Sequence, residues 1–417
     1  MKVNPQQFLD DDYLILREVI SPQRLDELRA SFEVLVERQK AIWVRERKPN
    51  DPPGGAWETS AQPRLGAFNT LIDETTANTV ECWLHENTLG VSRQLLSVPD
   101  AASVAGMMLM CSPTRDHGPA NWHRDVHPID MAPLSGLQMD LLEKGPKYIQ
   151  WNIPLYDDDV LWVVPGSHRR LNTDVENRQL LENPRTSLPG GTPVHLKAGD
   201  GVVYINYLLH WGSNYSTKLR RTLHGGHSIF PYFPDLSFTR SLSPSARETF
   251  ACWAQKSAKM QDLTEAALRA VINKDVNTYH AAVESLQPGA GEKGKLALAI
   301  YLSKAAYHIH ILKRPDFDSP ASRRLSERSG IQSNLPADVR RRATNSHSIT
   351  LNWGPAFAVR FSQAEADILW QRFKTLDAKL QAETEQFVPG FQSGPMRYFF
   401  EEMPDDFDVE DFIASWD

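Results

Sequence analysis

The segment NWHRDVHPID, residues 121–130, concentrates side chains that bind metal ions. On an extended strand, residues two positions apart point to the same side, so His123 and Asp125 project together and Arg124 faces the other way. An imidazole beside a carboxylate supplies two ligands for a divalent ion of the iron, manganese or zinc type. Two protein ligands are too few, so a third is needed. His127, two positions after Asp125, competes for a place as a ligand.

A more distant candidate is His210, which ends the apolar, strand-like run GVVYINYLLH. A jelly roll can bring such distant strands together across its barrel. Two histidines and one carboxylate then form a facial triad with an open face, as in non-haem Fe(II) oxygenases. His224 and His227 form another candidate pair. We interpret His308 and His310 as structural, because residues two apart in a helical pattern do not share a face.

A short His-x-Asp motif is weak when it stands alone, because such motifs often occur without a metal. The residues that follow His210 favour a metal site more strongly than the motif alone does. Arg220 and Arg221 follow His210 in a further strand-like run. A guanidinium near the metal can hold a dicarboxylate through a bidentate ion pair. The competing interpretation of this arginine pair is a solvated strand edge.

The composition is that of a water-soluble globular protein, with 41% hydrophobic and 23% charged residues. A net charge of -7 gives no general reason to expect nucleic acid or an anionic membrane as a partner. The three cysteines are widely and irregularly spaced, which suits a reducing compartment. No apolar segment has the length of a signal peptide core or a membrane span. We therefore expect a cytoplasmic protein.

The pattern of elements changes twice along the chain. Between residues 101 and 240, short strand-like runs alternate with turns and show no interleaved amphipathic helices, which favours an antiparallel sandwich or barrel. A helix is predicted from Ser21-Pro22 onward. After residue 243 the spacing is helical, interrupted by a linker at 314–330, and Ser362 with Glu365 predicts a capping box. We predict a catalytic domain over 1–240 and a mostly α-helical extension over 241–417.

Several motifs, in the same order, resemble the phytanoyl-CoA dioxygenase family of Fe(II)/2-oxoglutarate oxygenases. They are WHRDVH, QWNIPLYDDD, VVPGSH and AGDGVVYINYLLHWGSNYSTKLRR, and the resemblance extends over roughly residues 7–235. It implies a mainly β catalytic core, a cupin-like double-stranded β-helix or jelly roll, with flanking helices. It also implies that His123, Asp125 and His210 are the catalytic iron ligands, with 2-oxoglutarate and dioxygen as co-substrates.

The resemblance also suggests which residues bind 2-oxoglutarate. Counting from the Asn-x-Ser motif selects Arg220 as its anchor, whereas counting from His210 selects Arg221, and both stay open with Arg220 preferred. Trp151 matches a tryptophan that lines the 2-oxoglutarate pocket. Ser213 resembles the serine beside the distal histidine, although the extra Trp211 shifts its position.

The predicted reaction is oxidation of an unactivated C–H bond of a small molecule, with release of succinate and carbon dioxide. The carboxylate of Asp125 favours hydroxylation over halogenation, because related halogenases have a small residue there. Arg124 and His127 suggest a substrate with an anionic or polar group. The alternatives are a cupin-like Zn²⁺ or Mn²⁺ hydrolase or isomerase and a binding protein with a vestigial barrel. Three roles are open for the helical extension: a cover over the barrel mouth, a homodimer contact or a packing support.

Overall fold

The structure is a computed structural model and describes residues 1–66, 68–125, 134–231, 233, 235–289, 291–313, 356–382, 386–388, 396–398 and 408–416. The described residues fall into two compact units. The first contains those of 1–126 and 141–254, and the second contains those of 127–140, 255–388 and 395–417. The predicted linker at 314–330 and His127 lie outside the described residues. The predicted domain boundary at residue 240 stays a prediction.

Two antiparallel sheets form the β part of the first unit. The strands are β1 (Tyr13–Leu16), β2 (Arg64–Leu65), β3 (Ser103–Cys111), β4 (Tyr148–Pro154), β5 (Leu161–Val163), β6 (Thr192–Pro193), β7 (Gly201–Tyr204), β8 (His210–Gly212) and β9 (Arg221–Ser228). The larger sheet has the order β1-β7-β4-β9-β3-β2 and the smaller sheet β6-β5-β8. From β3 to β9 the chain passes repeatedly between the two sheets. The predicted antiparallel β core is therefore present.

Helices in the first 240 residues are more numerous than the sequence pattern indicated. They are α1 (Pro5–Asp11), α2 (Pro22–Glu46), α3 (Ala56–Thr59), α4 (Asn78–Glu81), α5 (Val91–Leu95), α6 (Leu134–Lys144) and α7 (Asp174–Glu182). The expectation of no interleaved helices was wrong, because α6 and α7 lie between strands. The start of α7 was legible in the sequence, since Thr173 and Glu176 form a capping box.

Helix α2 shows how the sequence builds the main core. It begins at Pro22 after Ser21, as predicted. Its residues at three- and four-residue spacing, among them Leu28 and Phe32, are fully or almost fully buried. They pack in one cluster with residues of the larger sheet such as Ile149 and Leu223. Burial of each such side chain contributes on the order of 2 kcal/mol, so this face of the sheet is fixed by apolar packing.

The turn VVPGSH ties the small sheet to the N-terminus. Gly166 has a φ of 77°, in the left-handed region that suits glycine, and its N–H donates to Asp12 Oδ2 (2.6 Å). His168, which is fully buried, places Nδ1 3.0 Å from the same oxygen. Ser167 Oγ accepts from the Leu209 N–H, next to His210 (2.8 Å). This motif is therefore structural in the first unit and helps to position the strand that carries His210.

The second unit is helical where it is described, apart from a short antiparallel pair, β10 (Gln386–Val388) and β11 (Met396–Tyr398). The helices after residue 243 are α8 (Pro244–Asn273), α9 (Val276–Leu286), α10 (Glu292–Lys313), α11 (Gln363–Ala382) and α12 (Val409–Ala414). The predicted capping box is confirmed: Glu365 N–H donates to Ser362 Oγ, and Ser362 N–H donates to Glu365 Oε2. Among the described residues, no helix combines the length and apolar character needed to cross a membrane.

Candidate metal centre

His123, Asp125 and His210 meet at one place in the first unit. One ligand atom from each residue lies within 4.8 Å of those of the other two. The two imidazole ring centroids are 4.3 Å apart. His123 Nε2 is 3.6 Å from Asp125 Oδ1, and His210 Nε2 is 3.2 Å from Asp125 Oδ2. The three side chains singled out by the sequence therefore form one cluster.

Backbone pairing places the two histidines side by side. His123 and His210 are partners in an antiparallel bridge, and each N–H donates to the other's carbonyl at 2.9 Å. Residues paired in this way point their side chains to the same face. Two hydrogen bonds to Asn206 hold the Asp125 backbone. The Asp125 N–H donates to the Asn206 carbonyl (3.0 Å), and Asn206 Nδ2 donates to the Asp125 carbonyl (3.0 Å).

The hydrogen bonds of the two imidazoles fix their tautomers. His123 Nδ1 donates to the Asn121 carbonyl and His210 Nδ1 donates to the Leu208 carbonyl, both at 2.8 Å. A proton on Nδ1 leaves the lone pair of a neutral ring on Nε2. Both Nε2 atoms face Asp125. This is the arrangement by which metal-binding histidines are oriented in proteins.

The electrostatics of the cluster favour ligand protonation states. Burial, together with the neighbouring His210, lowers the pKa of His123 to about 4, so its ring is neutral at pH 7. Burial alone would raise the pKa of Asp125, but the His210 and His123 rings, when protonated, and the Gln150 amide lower it well below the usual value. A carboxylate and a neutral imidazole are the forms that bind a divalent ion.

An unpartnered oxygen shows that the cluster fits a metal ion. Asp125 Oδ1 is buried and accepts no hydrogen bond from the described residues. A buried carboxylate oxygen without a partner is costly. A cation at the point where this oxygen meets the two Nε2 lone pairs would satisfy all three atoms. The donor set, two imidazoles and one carboxylate, suits non-haem iron.

Arg220 and Arg221 point to opposite sides of the larger sheet. Arg221 Nε and Nη2 donate to the carboxylate of Glu33 on α2 (2.7 and 3.1 Å). Arg220 Nε donates to Asp158 Oδ2 (2.7 Å), which also accepts from the Thr222 hydroxyl (2.5 Å). Asp158 is only 7% exposed. Arg221 is therefore paired with α2, on the other side of the sheet from Arg220.

Arg220 lies on the side of the sheet that faces the metal cluster. Thr222 and His224 project to one face of β9, and His224 Nε2 is 3.4 Å from the Gln150 amide nitrogen that bonds Asp125. The positive charge of Arg220 contributes to lowering the pKa of His224, which burial chiefly brings to about 3. The Arg220 side chain is 10% exposed, and its Nη1 has no hydrogen-bond partner among the described residues. The Arg220 guanidinium is thus fixed by Asp158 through Nε, while its Nη1 donor is available to a ligand.

Ser213 and Arg220 line the same cavity, which has a volume of about 390 Å³. Asp158, Trp162 and Tyr215 also contribute to its wall. Ser213 is anchored through its backbone, since its N–H donates to the Val160 carbonyl (2.8 Å). The structure thus brings together two residues that were predicted to contact 2-oxoglutarate.

Trp151 lies on the other side of β4 from the cluster. It is fully buried among the apolar residues between the larger sheet and the helices, and its Nε1 donates to Ser92 Oγ (3.1 Å). Its neighbours Gln150 and Asn152 face the metal side, where they contact Asp125 and His224. The alternation of side chains along a strand explains this placement. Trp151 therefore faces away from the metal cluster.

Arg124, which was predicted to contact substrate, is enclosed by polar groups of the protein. It is fully buried, and Nη1 donates to the Ser167 carbonyl (2.6 Å) and to that of Tyr207. Nη2 donates to Asn172 Oδ1 (2.9 Å). A guanidinium enclosed by loop oxygens has no surface left for a ligand. His127, the other predicted substrate contact, lies outside the described residues.

The competing histidines have other partners. His227 is fully buried, with Nε2 bonded to the Trp83 carbonyl (3.1 Å) and Nδ1 2.8 Å from Ser92 Oγ. His224 Nδ1 donates to Asn152 Oδ1 (2.6 Å). In the second unit, His310 lies on α10 and pairs with Asp367 (3.1 Å). Among the described residues, the candidate metal cluster of His123, Asp125 and His210 does not include these three histidines.

Some residues around the cluster were not singled out by the sequence. Gln150 bonds the carboxylate of Asp125. Asp158 stands in the run DDD, which looked like an ordinary turn. Arg64, at the edge strand β2, contributes to lowering the pKa of both His123 and His224. For these residues, the sequence offered one signal. The alternation of side chains along the strand QWN places Gln150 on the face opposite Trp151.

A triad of two histidines and a carboxylate in an antiparallel β core is typical of non-haem iron oxygenases. The sequence profile of phytanoyl-CoA dioxygenase (PhyH) matches residues 8–222, more than half of the chain, and the chain belongs to this family. It is thus an enzyme of the Fe(II)/2-oxoglutarate-dependent oxygenases, which use iron and 2-oxoglutarate. The predicted family is confirmed.

Three solved structures are similar to part of this chain. AviO1 from Streptomyces viridochromogenes Tue57 is 23% identical, over 55% of this chain and 95% of its own, with a TM-score of 0.40. EctD from S. alaskensis with bound Fe is 16% identical, over 54% and 76%, with a TM-score of 0.39. HygX from Streptomyces hygroscopicus with nickel and 2-oxoglutarate bound is 14% identical, over 54% and 87%, with a TM-score of 0.38. No curated protein matches the sequence significantly.

Proposed function

We propose that this oxygenase hydroxylates, or otherwise oxidises, an unactivated C–H bond of a small molecule, with His123, Asp125 and His210 as its iron ligands. The observation that carries the proposal is the cluster of two imidazole Nε2 atoms around the Asp125 carboxylate, whose Oδ1 has no hydrogen-bond partner among the described residues. Bound iron and 2-oxoglutarate supply the dioxygen chemistry, in which one oxygen atom goes to succinate, with loss of carbon dioxide, and the other to substrate.

The chain's own residues hold the reactants in place. The Nδ1–H bonds to backbone carbonyls keep both imidazoles aimed at one point. Arg220 pairs with the distal carboxylate of 2-oxoglutarate through its unused Nη1, while Asp158 holds its Nε. Ser213 lies in the wall of the same cavity as Arg220. Positioning of this kind, with a charge-assisted bond at the far end, is what the protein contributes to such a reaction.

The finer fold assignment is part of the proposal. We assign the β core to a double-stranded β-helix. It is supported by two antiparallel sheets that share alternating segments of the chain and by the antiparallel bridge that joins His123 to His210 on β8. The proposed substrate is a small molecule. Residues 126–133, which follow the ligand Asp125 and include His127, lie outside the described residues.

Turnover of 2-oxoglutarate to succinate tests the proposal. The purified chain, supplied with Fe(II), 2-oxoglutarate and air, is expected to form succinate, and candidate metabolites that are substrates should accelerate it. His123→Ala and His210→Ala should abolish this turnover. Activity that needs Zn²⁺ or Mn²⁺ but no dioxygen would favour a hydrolase or isomerase instead and contradict the proposal.

A further inference from the structure

Gln150 is a buried polar residue in the middle of β4 that belongs to no ligand set. It is 2% exposed, and a buried amide is costly unless its hydrogen bonds are made. Its Nε2 donates to Asp125 Oδ2 and to the Tyr204 hydroxyl, both at 2.7 Å. Both amide hydrogens are therefore engaged, and one of them is directed at the carboxylate of the metal cluster.

We propose that Gln150 is a positioning residue for the metal centre, which holds Asp125 so that one oxygen alone faces the ion. The inference rests on the proposed ligand role of Asp125. The terminal torsion of an aspartate is soft, so an unrestrained carboxylate can rotate and offer both oxygens to a metal. Gln150 donates to Oδ2, which also lies 3.2 Å from His210 Nε2, whereas Oδ1 has no hydrogen-bond partner among the described residues. The bond therefore selects Oδ1 as the ligand.

The restraint has a chemical purpose. A facial triad leaves the opposite face of an octahedral ion open for co-substrate and dioxygen. A carboxylate that chelated with both oxygens would take one of those positions. By occupying Oδ2, Gln150 keeps Asp125 monodentate and the open face complete. Groups that hold metal ligands in this way change metal affinity by about 10- to 100-fold when removed.

Binding of Mn(II) to the purified full chain, freed of metal, tests this role without activity. Gln150→Met keeps the length of the side chain but removes the donor, and calorimetry should show Mn(II) affinity about 10- to 100-fold weaker. Tyr204→Phe is the matched control, because it removes the other partner of the same amide. It leaves the bond to Asp125 in place, so it should weaken Mn(II) binding much less than Gln150→Met does.

Two further readouts separate positioning from general loss of stability. In a chain that carries Asp125→Ala, adding Gln150→Met should weaken Mn(II) binding no further, since the two residues act through one bond. In the Co(II)-loaded chain, Gln150→Met should shift the visible absorption bands, which report the number of ligands. If Gln150→Met does not fold, Gln150→Asn, which shortens the side chain and withdraws the donor, has the same expected results.

His210→Ala distinguishes failure of this inference from failure of the proposed centre. If His210→Ala weakens Mn(II) binding but Gln150→Met leaves both affinity and Co(II) spectrum unchanged, the positioning role is overturned and the centre stands. If His210→Ala leaves Mn(II) binding intact, the centre itself is overturned, and the role of Gln150 with it.

Discussion

Replacing Arg220 by glutamine is expected to weaken binding of 2-oxoglutarate strongly, because it removes the charged donor that faces the cavity. The Arg220 side chain is 10% exposed, and its Nη1 is buried without a partner among the described residues. A charge-assisted hydrogen bond in such a setting contributes about 1.5–3 kcal/mol. One such bond to the distal carboxylate corresponds to a KM for 2-oxoglutarate raised about 10- to 150-fold.

Arg221→Gln is the matched control for this prediction. Arg221 pairs with Glu33, which is 40% exposed, so its loss should cost about 1–3 kcal/mol of unfolding free energy. Its KM for 2-oxoglutarate should stay within about twofold. Initial rates of succinate formation over a range of 2-oxoglutarate concentrations give the KM of each variant. A raised KM in Arg221→Gln with a normal KM in Arg220→Gln would refute the assignment of faces in β9.

Three further predictions concern buried residues of the first unit. Trp151→Phe should lower the unfolding free energy by about 1–3 kcal/mol, measured with denaturant, without changing the KM for 2-oxoglutarate; a raised KM would return Trp151 to the pocket. Arg124→Met should destabilise the chain by about 2–4 kcal/mol, because carbonyls such as that of Ser167 lose their donor; unchanged stability with weaker substrate binding would contradict its structural role. Burial, opposed by the bond to the Trp83 carbonyl, lowers the pKa of His227 to about 4. The unfolded chain then takes up a proton more readily, so this histidine should cost the metal-free chain about 2–3 kcal/mol as the pH falls from 6.5 towards 4. His227→Gln should flatten that slope in denaturant titrations, and an equal slope would count against the buried neutral ring.

The metal cluster was predictable because metal binding requires particular residue types, which can be recognised in the sequence by type and spacing. His123 and Asp125 are two apart on an extended segment, and His210 ends a strand-like run. Residue type and spacing thus identified three side chains that the fold then brings together. The helical spacing after residue 243 and the start of α2 were likewise legible, since both depend on local patterns.

The supporting residues were harder to predict, because they depend on which face of a strand is which. A shift of one residue turns a side chain to the other side of a sheet. That single step separates Arg220 from Arg221 and Gln150 from Trp151. The sequence left Arg220 and Arg221 open and singled out Trp151 rather than Gln150, whereas the register of β4 and β9 places each side chain on its face.

Arg124 and Asp158 show a second limit of sequence reasoning. A charged residue is normally assigned to the surface, where most of them lie. Here both are buried and paired, Arg124 with loop carbonyls and Asp158 with Arg220. Such roles depend on partners far along the chain. They become visible only when the loops that supply those partners are in place.

The most direct test of the central claim is a crystal structure of the chain grown with Fe(II) in the absence of air, with the ion located by its anomalous scattering. We expect one ion, bonded to Nε2 of His123, Nε2 of His210 and Oδ1 of Asp125, with Gln150 still on Oδ2. An ion bound elsewhere, or the three side chains turned to different surfaces, would contradict the account.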